Sequence, residues 1–168
     1  MATEDQFGEV SLLDLMGVDL SQVEEMRFGD IMPRIFGQFE CGDPTIEELK
    51  DNKTGSPTAG KVIGALVKFP WKVLGITDAS NAKADGVEDP STLIGKIHTE
   101  VAFVKGGTNV KYLKAFIADV GGNKNQPLGE AIKSVAGKRI QAVIRHRKDP
   151  NDTDKVYASL SKYKPIAA

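Results

Sequence analysis

The sequence predicts a mainly β domain with helical insertions, of the α+β class. Three observations favour this class: two alternating segments in the last third of the chain, strand-length apolar segments before residue 105, and helical periodicity between the two groups. With 168 residues, of which 40% are hydrophobic and 27% charged, the chain is long enough to bury one substantial core.

The two alternating segments flank a polar loop and predict a β-hairpin at the end of the chain. The first segment has one apolar face, of Ile140, Ala142 and Ile144, and one mainly polar face, of Arg139, Gln141, Val143, Arg145 and Arg147. In the second, Val156, Ala158 and Leu160 alternate with Tyr157, Ser159, Ser161 and Tyr163. The polar face therefore combines arginines with tyrosines, a pairing typical of surfaces that hold a phosphate backbone while bases stack.

Two strands are predicted before residue 77. Residues 35–41 predict the first, in which Gly37 marks a bulge or a sharp bend. A long polar loop follows, and residues 45–50 within it predict one helical turn. Residues 61–76 then predict a long apolar strand, which Pro70 confines to an edge or bends because proline cannot donate to a ladder.

The third strand and the helices follow. After a second polar loop, residues 95–104 predict a strand with Ile97, Val101 and Phe103 on one face. A helix then runs to Gly121, and a shorter one opens at Pro127. Five strands with a helix between the third and the fourth are the chain order of an oligonucleotide-binding (OB) barrel. The predicted fold is therefore a five-stranded OB-like barrel.

Residues 1–32 predict an acidic, partly helical arm, and residues 33–168 the OB-like nucleic-acid-binding domain. Residues 1–59 carry 4 Lys and Arg against 13 Asp and Glu, whereas residues 60–168 carry 18 against 10. The helices of the arm either pack on the domain or bind a partner protein. The charge division indicates a basic functional body with an acidic extension.

Composition also sets expectations about location. There is no run of 18 apolar residues, and the first residues lack the basic and apolar layout of a secretory signal. The single cysteine, Cys41, has no partner for an internal disulfide. These features predict a cytoplasmic protein with no membrane association.

We expect the nucleic-acid-binding residues to be cations and aromatic side chains of the second, fourth and fifth predicted strands: Lys61, Lys68, Trp71, Lys72, Arg139, Arg145, Arg147, Lys148, Lys155, Tyr157 and Tyr163. The alternative is that the aromatic rings pack in the core and the cations form an ordinary solvated face.

His98 and His146 are the only histidines, and they have no metal-ligand spacing. Phosphate-binding loops and nucleophile motifs are also absent, so we expect neither a metal, a cofactor nor an enzyme.

Four short motifs carry a resemblance to a known family. They are Phe36-Gly-Gln-Phe-Glu, Gly60-Lys-Val-Ile-Gly-Ala-Leu-Val, the tract from Leu128 to Gly137-Lys-Arg-Ile-Gln-Ala-Val-Ile, and Lys155-Val-Tyr-Ala-Ser-Leu-Ser. Together they resemble small phage-encoded single-stranded DNA-binding proteins over about residues 33–164. The resemblance implies an OB fold that coats single strands in phage DNA replication or recombination, within the host cytoplasm.

One feature departs from the wider group. Many of its members recruit partners through an acidic C-terminal tail, but this chain has no acidic side chain after Asp154. The acidic N-terminal arm is the remaining segment through which replication or recombination proteins would bind.

The predicted function is sequence-tolerant binding of single-stranded DNA by phosphate neutralisation and base stacking. A non-enzymatic structural or protein-interaction module, such as a virion or assembly component, is the alternative. A binder of duplex DNA or RNA and a divergent hydrolase are further rivals. The sequence is compatible with a homo-oligomer but does not determine one.

Overall fold

The structure is a computed structural model that describes residues 31–105, 107–152 and 154–166. The predicted acidic arm at residues 1–32 falls outside the described residues except for Ile31 and Met32.

The described chain is mainly β, as the sequence predicts, with six strands in one antiparallel sheet. The strands are β1 (Phe36–Cys41), β2 (Thr45–Lys50), β3 (Val62–Asp78), β4 (Ile97–Val104), β5 (Arg139–Lys148) and β6 (Val156–Ile166). The helices are α1 (Ser80–Ala84), a 3₁₀ helix (Pro90–Leu93), α2 (Gly107–Asp119) and α3 (Leu128–Lys133). The sheet order is β2-β3-β1-β5-β6, and β4 pairs with β3.

Strand β3 organises the sheet because three strands pair with it. β1 pairs with its second half and β2 with its first half, so that β1 and β2 lie end to end along the same side. β4 occupies the other side, opposite residues 65–72. The 17 residues of β3 therefore set the register of three of the other five strands.

The break between β1 and β2 coincides with Pro70. Cys41 is paired with Trp71 and Thr45 with Lys68, so the break faces the proline. The Pro70 carbonyl oxygen accepts a hydrogen bond from the Gly42 nitrogen on that side. A residue in an antiparallel strand directs its carbonyl and its nitrogen to the same side, and proline has no hydrogen to donate. The side on which Pro70 lacks an N–H donor therefore faces the break, where no strand is paired with it. β3 continues without interruption.

One local prediction is wrong: residues 45–50 form strand β2 rather than a helical turn. Six residues are too few for a stable helix without tertiary packing, whereas β3 offers a ladder along its whole first half. This extra strand makes six where the sequence predicted five. The predicted loop before β4 also contains two short helices, α1 and the 3₁₀ helix, which Asp89 caps by accepting a hydrogen bond from the Ser91 nitrogen.

The core lies between the inner side of the sheet and the helices. β3 contributes Val67, Phe69, Trp71 and Val73, and β5 contributes Ile140, Ala142 and Ile144, all at most 1% exposed. Leu113, Ile117 and Val120 of the α2 segment and Ile132 of α3 cover them. Each large apolar side chain buried in this way contributes about 1.5–3 kcal/mol. The apolar face predicted for the first strand of the hairpin is confirmed.

No ladder joins β4 to β6 in the described sheet, which is therefore open between these strands. A single carboxylate links them instead. Oε1 of Glu100 on β4 accepts a hydrogen bond from the Leu160 nitrogen of β6 at 2.5 Å and lies 2.6 Å from Nε2 of buried His98. α2 packs at the same opening, where the rings of Phe116 and Tyr163 meet edge to face at 5.4 Å.

The predicted bulge at Gly37 is confirmed, because the β1–β3 register shifts between Phe36 and Gly37. Replacing Gly37 with alanine should lower the free energy of unfolding by about 1–3 kcal/mol. The new Cβ would collide with the carbonyl oxygen of Gly75, a backbone atom that no rotamer change can move. Urea unfolding measures the effect. Gly75→Ala is the matched control, because its Cβ meets nothing within 4 Å, and equal losses in both variants would contradict this geometry.

Candidate nucleic-acid interface

The outer side of the terminal hairpin brings cations and an aromatic ring together. Arg147 is paired with Tyr157 and Arg145 with Ser159, and directly paired residues share one face of a sheet. Both arginines are exposed, and Tyr157 is 48% exposed. We call this set of four residues the hairpin face. Its chemistry is the one that the alternation in the sequence predicts.

Tyr157 is held in place by the loop that joins β5 to β6. Its hydroxyl donates a hydrogen bond to Oδ2 of Asp149 at 3.0 Å, and Asp149 raises the pKa of the phenol. The ring is thus neutral at physiological pH and pre-oriented, which lowers the entropy cost of placing a base on it. Lys148 and Lys155 flank the loop and are exposed. Lys148 is paired with Val156, so it points away from the hairpin face.

Tyr163 does not lie on the hairpin face, which corrects the prediction from alternation. Lys162 has a left-handed backbone (φ 51°), and the β5–β6 register shifts opposite Ala142. The shift turns Tyr163 towards α2, where it packs against Phe116. Burial, together with the charges of Asp119 and Glu100, raises the pKa of Tyr163.

Trp71 is also misplaced by the prediction, because its side chain is 0% exposed. It meets Phe116 edge to face at a centroid distance of 6.5 Å. A ring with no exposed face cannot stack on a base. Phe69 and Trp71 are two residues apart on β3, so their side chains lie on the same side of the strand, which faces the core.

Three further predicted cations, Arg139, Lys68 and Lys72, are dispersed over the outer side of the sheet. Arg139 Nε lies 2.8 Å from Glu40 Oε2, and Glu40 is paired with both Arg139 and Lys72. Lys68 Nζ lies 3.2 Å from Oε1 of Glu47. Exposed ion pairs of this kind are worth less than about 1 kcal/mol, so a phosphate can replace the carboxylate. Lys61 is exposed at the end of the loop that precedes β3.

A second exposed surface, on β4, is not recognisable in the sequence, because an apolar strand with an aromatic residue is equally typical of the core. Ile97, Val101 and Phe103 are 61%, 45% and 53% exposed, while His98 on the opposite side of β4 is buried. Lys68 is paired with Val101 and Lys72 with Ile97. We call these five residues the β4 face. The pairing with two lysines is the signal that could have identified it, but that signal requires the register of β3 against β4.

The loop between β2 and β3 is built around one carboxylate. Asp51 Oδ2 accepts hydrogen bonds from the hydroxyls of Ser56 at 2.6 Å and Thr58 at 2.5 Å, and Oδ1 accepts one from the Lys53 nitrogen at 3.0 Å. These donors lower the pKa of Asp51 to about 2. The charged carboxylate therefore fixes the loop that leads to Lys61.

In the part of the chain that the structure describes, His, Cys, Asp and Glu side chains do not gather in any group of three that could hold a metal. Burial raises the pKa of the Cys41 thiol to about 12, so at neutral pH it remains protonated and a poor nucleophile. Among the same residues, every helix is too short or too polar to cross a membrane.

Comparisons of the chain with protein-family models, curated proteins and solved structures found no match. The hairpin face and the β4 face therefore provide the evidence for a function.

The Asp51 loop gives a prediction about pH. Because the folded pKa of Asp51 lies below its ordinary value of 3.8, its stabilising effect is present above that value and is lost as the pH falls towards about 2. Carboxyl-carbon NMR titration should give a midpoint near 2, and Ser56→Ala should raise it. Ser91→Ala, which removes a similar hydroxyl beside Asp89, is the control. An Asp51 midpoint at 3.8 would contradict the structure of the loop.

Proposed function

We propose that this chain is a non-enzymatic protein that binds single-stranded DNA with little sequence preference. The observation that carries the proposal is the direct pairing of exposed Arg147 with exposed Tyr157, beside Arg145. A cation neutralises the phosphate backbone, and an aromatic ring beside it stacks on any base. This combination favours single strands, because bases within a duplex offer no free face.

Strand pairing supports an OB-like barrel as the finer description of the fold. With β1 and β2 taken as one interrupted strand, β1 pairs with β3 and β5, β3 with β4, and β5 with β6. Helices α2 and α3 stand between β4 and β5 in the chain. These are the pairings of an OB fold that is left open between β4 and β6, and OB folds are commonly partly open.

The same correspondence supports the choice of surfaces. In OB folds the second and third strands and the loops 1–2 and 4–5 bind oligonucleotides. Here they correspond to β3, β4, and the loops at residues 51–61 and 149–155. The β4 face lies on those strands, and Tyr157 contacts the second of those loops through Asp149. Phe103 is therefore the second stacking residue of the proposal, replacing Trp71 and Tyr163.

The proposal extends to biological context through the resemblance to phage-encoded single-stranded DNA-binding proteins. It places the protein in phage DNA replication or recombination in the host cytoplasm, with the acidic arm as the segment that binds other replication proteins. The alternative, a structural or assembly module, would use the exposed apolar residues of the β4 face to bind protein.

Preference for a labelled poly-dT oligonucleotide over its duplex and over RNA, measured by fluorescence anisotropy, tests the proposal. No binding at low salt would overturn it.

Replacing Arg145 and Arg147 together with alanine should weaken binding at low salt and flatten its salt dependence. Each arginine that neutralises a phosphate contributes about −0.7 to the slope of log K against log salt. Anisotropy across a salt series measures both quantities. The matched control is Lys83→Ala with Lys133→Ala, two exposed cations on α1 and α3. An equal loss in the control would mean that net charge alone, not the hairpin face, binds DNA.

Replacing Tyr157 or Phe103 with alanine should weaken poly-dT binding about tenfold at every salt concentration, because a lost stacking contact costs about 1–3 kcal/mol. The salt slope should remain unchanged, which separates stacking from phosphate neutralisation. Leu128→Ala removes an exposed apolar side chain from α3 and is the control. Wild-type affinity for both aromatic variants would exclude these rings from the interface.

A further inference from the structure

Helix α2 has a second stripe of side chains that lines a cleft, and only Phe116 of this stripe also packs against the core. Leu113 and Ile117 are buried, whereas Asn109, Tyr112, Phe116 and Asp119 line a cleft of about 410 Å³ between α2, β4 and β6. This volume lies within the range of about 300–1,000 Å³ typical of ligand sites. The remaining wall residues are Phe69, Glu100, Val101, Ala102, Phe103, Leu113, Ala115 and Tyr163.

The cleft exposes aromatic and apolar surface. Of the nine exposed large apolar residues in the described chain, three line it: Val101, Phe103 and the 73% exposed Tyr112. Behind them the rings of Phe116 and Tyr163 are in contact, and Phe69 lies 5.0 Å from Phe116 between centroids. The exposed apolar surface of Val101, Phe103 and Tyr112 indicates a binding site.

The charge of the cleft is negative. Among the described residues, Glu100 and Asp119 are its only ionisable groups besides the two tyrosines, and no described lysine or arginine lines it. Both carboxylates face Tyr163, whose pKa they help to raise. Asp119 makes no hydrogen bond or ion pair with another described residue, whereas Glu100 already holds His98 and β6. A phosphate is repelled here, although residues 31–168 carry 21 Lys and Arg against 15 Asp and Glu.

We infer that this cleft binds an arginine side chain within an extended, apolar-flanked peptide segment of a partner protein. Asp119 pairs with the guanidinium, the aromatic rings contact its face, and Tyr112 and Phe103 contact the flanking apolar side chains. The shape favours a peptide over a small cation. Four consecutive residues of β4 form one wall, and the stripe from Asn109 to Asp119 extends for about 15 Å along α2.

The test uses the full-length protein and the peptide acetyl-Leu-Arg-Leu-amide, followed by two-dimensional ¹H–¹⁵N NMR. We expect signals of Tyr112, Phe116 and Asp119 to shift as the peptide is added. The peptide with citrulline in place of arginine keeps the shape without the charge, and its affinity should be about fivefold lower, as expected for the loss of an exposed ion pair. Equal affinity for both peptides, or no shift at about 1 mM peptide, would overturn the inference.

Protein variants locate the site independently. Asp119→Asn should weaken the arginine peptide but not the citrulline peptide, whereas Glu130→Gln on α3 should affect neither. Asp119 is exposed, so the variant should fold, and its affinity for poly-dT should be no lower than that of the wild type. DNA binding and peptide binding thus fail separately. If sedimentation shows self-association that Asp119→Asn abolishes, the cleft receives a second copy of this chain, and the partner assignment is wrong.

Discussion

The alternation of β3 is the constraint on which the rest of the structure depends. One side of this strand supplies Phe69 and Trp71 to the core, and the other side supplies Lys68 and Lys72 to the surface. Because β1, β2 and β4 all take their register from β3, a slip of one residue would exchange the two sides throughout the sheet. Pro70 is compatible with this register only because its missing donor faces the break between β1 and β2. The core and the β4 face are therefore fixed by one strand.

The sequence predicts those parts of the fold that local alternation encodes. The apolar and polar faces of the hairpin of β5 and β6 are predictable because Ile140, Ala142 and Ile144 alternate with arginine and glutamine side chains along β5. β2 was not, because it is almost wholly exposed and has no apolar periodicity; only its pairing with β3 makes it a strand. Tyr163 was assigned to the wrong face because a lysine gives no sign that residue 162 adopts a left-handed backbone. Such errors arise where tertiary pairing overrides local preference.

The candidate site also divides into residues that local alternation places and residues that only tertiary packing places. Strand alternation alone predicts that the arginines and Tyr157 of the hairpin face lie on one side of the hairpin. Trp71 was assigned to the surface although its parity matches that of Phe69, so the sequence held the information that excludes it. Phe103 required more, because only the packing of α2 decides which side of β4 is covered. An aromatic residue on an edge strand is equally compatible with a core and with a binding surface until that helix is placed.

Phe103 also connects the β4 face with the cleft. It belongs to the β4 face, where it would stack on a base, and it lines the cleft, where it would contact a peptide. One ring cannot serve both ligands at once, so an occupied cleft would weaken DNA binding, and by thermodynamic linkage DNA would weaken peptide binding by the same factor. The acidic wall of Glu100 and Asp119 beside the ring acts in the same direction, because it repels phosphate. β4 would then be the element through which a partner protein and a single strand exclude each other.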